Sequence, residues 1–221
     1  RDDAAGHVEA LKARAAENGS EAPIYLAGGG VFAGEMLAAG LVDSLSAEGI
    51  RCFGPNHAAA QIEASKSFAK DFMARHNIPT AKYATFSNYD EAVRYLQSVD
   101  YPIVIKASGL AAGKGVILPE TDEEAKSTLE DILVKKVFGE AGVEVVIEER
   151  MTGQEVSLMA FTDGTSVLPM LPAQDHKRLL DGDQGVNTGG MGAYAPAPIF
   201  TAELMNEAVK NIFKLAVQGM K

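Results

Sequence analysis

The residues best suited to chemistry lie in one block, Gln174 to Tyr194, which reads QDHKRLLDGDQGVNTGGMGAY. Asp175, His176, Lys177 and Arg178 are followed by Asn187, Thr188, Gly189, Gly190, Met191 and Gly192. A short segment that mixes charge, amide and glycine is poor core material and suits the grip on a small, polar, phosphorylated molecule. Glycines let backbone N–H groups approach such a ligand, and Lys177 and Arg178 supply positive charge for a phosphate. The competing reading is a long surface loop whose Asp and Gly residues serve turns.

A second cationic segment, KASGLAAGKG from Lys106 to Gly115, follows the apolar run Ile103-Val104-Ile105. Small residues and two lysines make a flexible flap suited to a triphosphate. It is not a Walker A loop: Ser108 occupies the first glycine position, and Gly115 replaces the Ser/Thr that would hold magnesium. The alternative is a glycine-rich hairpin with one solvated lysine. Lys106 argues against it, because a lysine ending an apolar strand needs a partner if buried. Further along, Val145-Val146-Ile147 ends in Glu148 and Glu149, followed by Arg150, Met151, Thr152, Gly153, Gln154 and Glu155. Backbone groups after Glu148 could pair with an adenine edge, and Glu155 could accept from ribose hydroxyls; a solvated strand end is the alternative. Lys66 by itself reads as a surface helix charge. Gly28-x-Gly30-x-x-Ala33 approximates a dinucleotide fingerprint, but the next strand ends in Phe53-Gly54-Pro55 rather than in an acidic residue, so a tight strand-to-helix turn is the better reading. His7, His57 and His76 lack metal-like spacing.

These residues need elements to position them. A strand at Pro23–Ala27, a helix from about Gly34 to Glu48 and a strand at Ile50–Phe53 form one β-α-β unit. Ala58–Asn77 reads as one helix with an apolar stripe at Ile62, Phe68, Phe72 and Met73, and with Lys66 and Lys70 four apart. Residues 82–149 read as a small α/β unit, with strands near Tyr83–Phe86, Ile103–Lys106, Gly115–Leu118 and Val143–Glu148. Its helices fall near Tyr89–Val99 and Thr121–Val137, the first with a capping start at Asn88. Glu155–Thr162 and Thr165–Leu171 suggest a hairpin turned at Asp163-Gly164, and Thr201 caps a last helix through Gly219.

Composition narrows the function. The chain has 221 residues, 47% of them hydrophobic, and a net charge of −10. An acidic protein of this kind is not expected to bind nucleic acid, so phosphate binding must come from local lysines. No run approaches the roughly 20 apolar residues needed to cross a bilayer, and no signal peptide is apparent. The single cysteine, Cys52, excludes a disulfide framework and fits a reducing, cytoplasmic setting as a small packing residue.

Taken in order, FGP at 53–55, SKSFAKDF at 65–72, IKASGLAAGKGV at 105–116, VIEE at 146–149 and the Gln174–Tyr194 block resemble glycinamide ribonucleotide synthetase, the phosphoribosylamine–glycine ligase family. The likeness runs from about Leu37 to Met220 and is strongest to the form at the start of fungal bifunctional purine enzymes. The lysines, flap and Glu-Glu edge are shared across the ATP-grasp superfamily, whereas the Gln174–Tyr194 block is particular to this ligase. Val186 stands where the family has proline.

The resemblance implies an α/β ATP-grasp fold preceded by part of a Rossmann-like domain. Its divisions would be 1–58 (partial N-terminal domain), 59–81 (connecting helix), 82–149 (small subdomain with the flap) and 150–221 (incomplete large subdomain). It implies ATP-dependent ligation of glycine to phosphoribosylamine through an acyl phosphate. Lys66, Lys106, Gly113, Lys114 and Gly115 would meet the ATP phosphates; Glu148, Glu149, Arg150 and Met151 the adenine; and Glu155 the ribose. Asp175, Lys177, Arg178, Asn187, Thr188, Gly189, Gly190 and Met191 would hold the substrates, with Lys114 and Arg178 catalytic. It also implies magnesium or manganese held by residues beyond Lys221, and in the fungal form a downstream synthetase domain. The chain is therefore expected to be a piece of the enzyme without activity of its own, with an apolar stripe exposed at Leu204, Ala208, Ile212 and Leu215. An ATP-grasp ligase for another carboxylate and amine, or a non-catalytic ATP-binding remnant, are the alternatives.

Overall fold

A computed structural model describes residues 24–25, 31–111, 114–182, 184–188 and 191–221. The chain divides into two compact units, residues 1–72 with 81–150 and residues 73–80 with 151–221.

The first unit opens with β1 (Ile24–Tyr25), α1 (Val31–Ala38), α2 (Leu41–Ala47) and β2 (Cys52–Phe53). β1 and β2 pair in parallel, as a β-α-β unit requires. The single helix expected over Gly34–Glu48 is in fact two. Gly40, at φ 81, sits between them in a left-handed conformation that glycine adopts without a Cβ clash. Met36, Leu41 and Leu45 form the core here, with Cys52 half-buried against it and its thiol pushed up by burial. Gly28 and Gly30 of the fingerprint-like turn lie outside the described residues, as do residues 1–20.

α3 (His57–Ala64) and α4 (Lys66–Arg75) replace the one helix expected over Ala58–Asn77. Ser65 between them is extended, at φ −135 and ψ 115, and its hydroxyl accepts the Phe68 N–H, capping α4. Asn77, at φ 55, lets the Ile78 N–H close back on the Met73 carbonyl.

β3 (Tyr83–Phe86), α5 (Tyr89–Leu96), β4 (Ile103–Ala107), β5 (Val116–Ile117), α6 (Asp122–Leu129) and β6 (Val145–Glu149) complete this unit. Asn88 and Thr121 cap α5 and α6 through the N–H groups of Glu91 and Glu124. α6 passes into a π-helical turn at Glu130–Val134 and is followed by a 3₁₀ turn at Gly139–Gly142, so it is shorter than the expected Thr121–Val137. The four strands form one antiparallel sheet in the order β3-β6-β4-β5. Alternation sends Ile103, Ile105, Ala107, Val145 and Ile147 to one face, where they pack with Ala92, Ala125, Leu129, Ile132 and Leu133 from the helical layer. The register places Tyr83 beside Glu148 and Val104, and Thr85 beside Val146 and Lys106, on the opposite face.

The second unit is built mainly of short strands. β7 (Ala160–Thr162) and β8 (Val167–Pro169) form the expected hairpin. Gly164, at φ 85, and the Asp163 carboxylate, which accepts the Thr165 and Ser166 N–H groups, make its turn. β9 (Gln174–Asp175), β10 (Arg178–Leu180), β11 (Gln184–Asn187) and β12 (Ala193–Tyr194) follow. Then come α7 (Ala202–Ala208), a π-helical turn at Val209–Phe213 and α8 (Lys214–Gly219). Thr201 caps α7 through the Leu204 N–H. On that last helix Leu204 and Ile212 are exposed, and Ala208 and Leu215 half-buried. Among the described residues no helix is long and apolar enough to cross a membrane.

Candidate active site

Lys106 and Glu148 come together because of sheet register. Lys106 pairs with Val146 and Glu148 with Val104, so the two side chains are diagonal neighbours on one face, within reach of long side chains. Glu148 is 4% exposed and forms ion pairs with both Lys106 and Lys70. Burial alone would raise its carboxyl. The hydrogen bonds and charges of Lys106 and Lys70 outweigh that and hold it below the usual carboxylate range. Lys70 also lies over the Tyr83 ring, 5.5 Å from its centroid. The sequence placed Lys70 four residues from Lys66 on one helix, but its role as the second cation on Glu148 shows only in the fold.

Lys66 begins α4 and its Nζ donates to the Gly109 carbonyl at 3.1 Å. Burial lowers its ammonium below the ordinary lysine value; Glu63 opposes this and the positive charge of Lys106 adds to it. Two cations this close, one of them partly desolvated, favour an anion between or beside them. So Lys66 is not the solvated helix charge it resembles in isolation.

The flap leaves the sheet between β4 and β5, and its glycines do structural work at its stem. A Cβ on Gly115 would lie 2.7 Å from the Ala111 Cβ, and one on Gly109 would lie 2.6 Å from the Ala141 Cα. The close approach that these glycines permit is to their own chain. Lys114 is exposed, with its N–H on the Ala111 carbonyl. Gly113 lies outside the described residues.

At the strand end, Glu149 exchanges backbone and side-chain contacts with Lys82. Arg150 donates to the Glu120 carboxylate at 3.0 Å, at a recess of about 290 Å³ lined by Leu96, Val99, Tyr101, Pro119 and Ala125. Met151, where the chain re-enters the second unit, is 73% exposed.

In the second unit the Gln174–Tyr194 block is two nested hairpin pairs rather than the open loop that its composition suggests. β9 pairs with β12, Asp175 opposite Ala193, and β10 pairs with β11, Arg178 opposite Asn187. The Thr188 N–H and hydroxyl both donate to the Lys177 carbonyl, at 2.7 and 3.0 Å. The His176 N–H reaches Gly192 O and the Met191 N–H reaches His176 O. Lys177 forms an ion pair with Glu155 and lies 3.9 Å from Asp175. The Glu155 hydrogen bond is the main reason its ammonium is pushed above the ordinary lysine value. Glu155, Asp175, Lys177 and Thr188 are thus brought together, and the exposed Met191 lies on the same hairpin. Gly189 and Gly190 lie outside the described residues.

The chain is similar to known proteins. Residues 64–221 match the phosphoribosylglycinamide synthetase ATP-grasp (A) domain. A bifunctional purine biosynthetic protein of Dictyostelium discoideum is 58% identical over 202 residues, covering 84% of this chain and 25% of that protein. A phosphoribosylamine–glycine ligase of Neisseria meningitidis is 54% identical over 185 residues, covering 84% of this chain and 44% of the ligase. The chain therefore spans less than half the length of these relatives. Among solved structures, the phosphoribosylamine–glycine ligase of Thermotoga maritima superposes with a TM-score of 0.67 at 34% identity, covering 76% of this chain and 43% of the other. Biotin carboxylase of Campylobacter jejuni gives a TM-score of 0.74 at 15% identity, over 96% of this chain and 46% of that one, and shares the fold alone. On these grounds the chain belongs to the phosphoribosylglycinamide synthetase family of ATP-grasp ligases.

Proposed function

We propose that the intact protein joins glycine to 5-phosphoribosylamine at the expense of ATP, giving glycinamide ribonucleotide, ADP and phosphate. The observation that carries this reading is the cationic centre at the sheet, with Lys106 and Glu148 on the face opposite its packed core. There Lys106 is held on buried Glu148, and Lys66 is held at the flap stem. ATP supplies the phosphoryl group that activates the glycine carboxylate, which the amine of phosphoribosylamine then attacks. Such a transfer needs positioning and charge neutralisation more than a protein nucleophile. Lys66 and Lys106 neutralise phosphate oxygens, and Lys114 brings a further charge on the flap, which shields the activated carboxylate from water. Backbone groups of Glu148–Met151 bind the adenine and Glu155 the ribose. Asp175, Lys177, Arg178 and the Asn187–Met191 segment hold the phosphorylated amine and glycine. On this reading the divisions 1–58, 59–81, 82–149 and 150–221 are the parts of a pre-grasp and grasp architecture, and the setting is cytoplasmic.

Magnesium belongs to the family's chemistry. Among the described residues no group of three or more His, Cys, Asp or Glu side chains is arranged to hold an ion.

The test is phosphate release from the intact protein with ATP, glycine and phosphoribosylamine, each omitted in turn. Release that needs all three, lost in Lys66→Met and Asp175→Asn, is the expected result. Release that ignores phosphoribosylamine but accepts another amine would move the protein to a different ATP-grasp ligation. ATP binding without turnover in the intact protein would make it a nucleotide-binding module.

A further inference from the structure

We infer that Ser108 is a positioning residue that locks Lys66 to the stem of the glycine flap, so that lysine and flap meet a nucleoside triphosphate as one rigid body. The inference rests on the reading above that Lys66 meets ATP phosphates.

The evidence is how the N-terminus of α4 is used. The first N–H groups of a helix have no partner within it. Here the Lys66 N–H donates to Ser108 O at 2.8 Å, the Ser67 N–H to Ser108 Oγ at 3.1 Å, and the Phe68 N–H to Ser65 Oγ at 3.2 Å. One residue of the flap stem therefore caps the helix with both its carbonyl and its hydroxyl. Lys66 then reaches back, its Nζ donating to Gly109 O. The stem is pinned on its other side too: the Ser108 N–H donates to Glu144 O and the Gly109 N–H to Ala141 O, both at 2.9 Å. Gly109 has no room for a Cβ at that contact.

Proton accounting gives the cluster a direction. The Ser67 hydroxyl donates to Glu144 Oε2 at 2.7 Å, which uses its one hydrogen. The Ser108 hydroxyl, 2.8 Å from Ser67 Oγ, must then be the donor in that contact. Ser67 and Ser108 are 8% and 5% exposed, so these bonds are sheltered from water and costly to lose. The positive end of α4 faces a carboxylate through one hydroxyl, and its first two N–H groups are spent on the flap stem and the third on Ser65. The helix end is thus a joint rather than a phosphate cradle, and the phosphate-directed charge left to it is Lys66. A lysine side chain loses much rotamer freedom on binding. Fixing its backbone and its Nζ before ATP arrives removes part of that cost.

The experiment is ATP titration by calorimetry on the intact protein, well below its melting temperature, with tryptic cleavage at Lys114 as a reporter of the flap. Lys66→Met weakens ATP binding if the underlying reading holds; unchanged binding there, or none in the wild type, sinks that reading rather than this one. Given that, Ser108→Ala is expected to weaken ATP binding about tenfold, the size of one lost buried hydrogen bond, and to speed cleavage at Lys114. Ser108→Thr, which keeps the hydroxyl, recovers most of both. Ser67→Ala removes the acceptor that orients the Ser108 hydroxyl and is expected to cost about threefold; it decides the matter should Ser108→Ala fail to fold. Wild-type ATP affinity and wild-type cleavage in the Ser variants, whatever their melting temperatures, would overturn the inference.

Discussion

Lys106 and Lys177 are both assigned to substrate phosphates, yet the protein holds them in different ways. Lys106 lies on a strand whose opposite face is a packed core, with Ile105, Val145 and Ile147 fully buried. Its counterion, Glu148, is itself buried and shared with Lys70. Lys177 lies between two strands of two and three residues. Of its partners, Glu155 is 70% exposed and Asp175 half-buried. In the second unit the buried apolar side chains among the described residues are Ile78, Pro172, Ala197 and Val217, while Phe161, Leu168, Leu171 and Leu179 are more than half exposed. The first lysine is organised by a core before any ligand arrives, and the second by other charged side chains. A buried charge in a rigid frame is expensive to disturb, and an exposed ion pair is not.

The comparison is broken most directly at Glu148. Glu148→Ala removes the buried carboxylate shared by Lys70 and Lys106 and is expected to cost about 3–5 kcal/mol in denaturant unfolding, whereas Glu155→Ala is expected to cost less than about 0.5 kcal/mol. Equal losses would show that the two lysines are held alike.

Next in size is packing. Ile147→Ala should cost about 2–4 kcal/mol through cavity formation, and Leu168→Ala, at 67% exposure, within about 0.5 kcal/mol. The same unfolding curves report both.

Acid titration sharpens the contrast further. Because the Glu148 carboxyl is held below its ordinary value of 4.5, it contributes stability above that pH, and the contribution is lost as pH falls through the lowered value. Melting temperature should therefore drop more steeply below about pH 4.5 in the wild type than in Glu148→Gln; parallel curves would remove Glu148 as the cause.

The smallest effect is local to the second unit. Gly164→Ala places a side chain at φ 85 and should cost about 1 kcal/mol, read as a small fall in melting temperature.

Much of this was legible beforehand, for identifiable reasons. The hairpin at Asp163-Gly164 and the caps at Asn88, Thr121 and Thr201 depend on residues within a few positions of one another. The apolar, β-branched run Ile103-Val104-Ile105 predicts a strand. That Lys106 must find a partner follows from its place after an apolar run. The breaks at Gly40 and Ser65 were not legible, because helical periodicity continues across both. The Gln174–Tyr194 block was read as a loop because strands of two to four residues leave little alternation to detect. Lys66 looked like a surface charge because the groups that hold it, Ser108 and Gly109, are 42 and 43 positions away.

The amino-acid order by itself determined the family, the strands that carry Lys106 and Glu148, and the residue types on offer to a phosphorylated substrate, since these rest on local pattern and on motifs kept in sequence. Only the tertiary structure decided which carboxylate answers which lysine, and that the N-terminus of α4 is spent on the flap stem. Those outcomes hang on strand register and on hydrogen bonds such as Ser67 to Ser108 and Ser67 to Glu144, which span 41 and 77 residues. At such separations side-chain chemistry allows many pairings, and the packed backbone selects one.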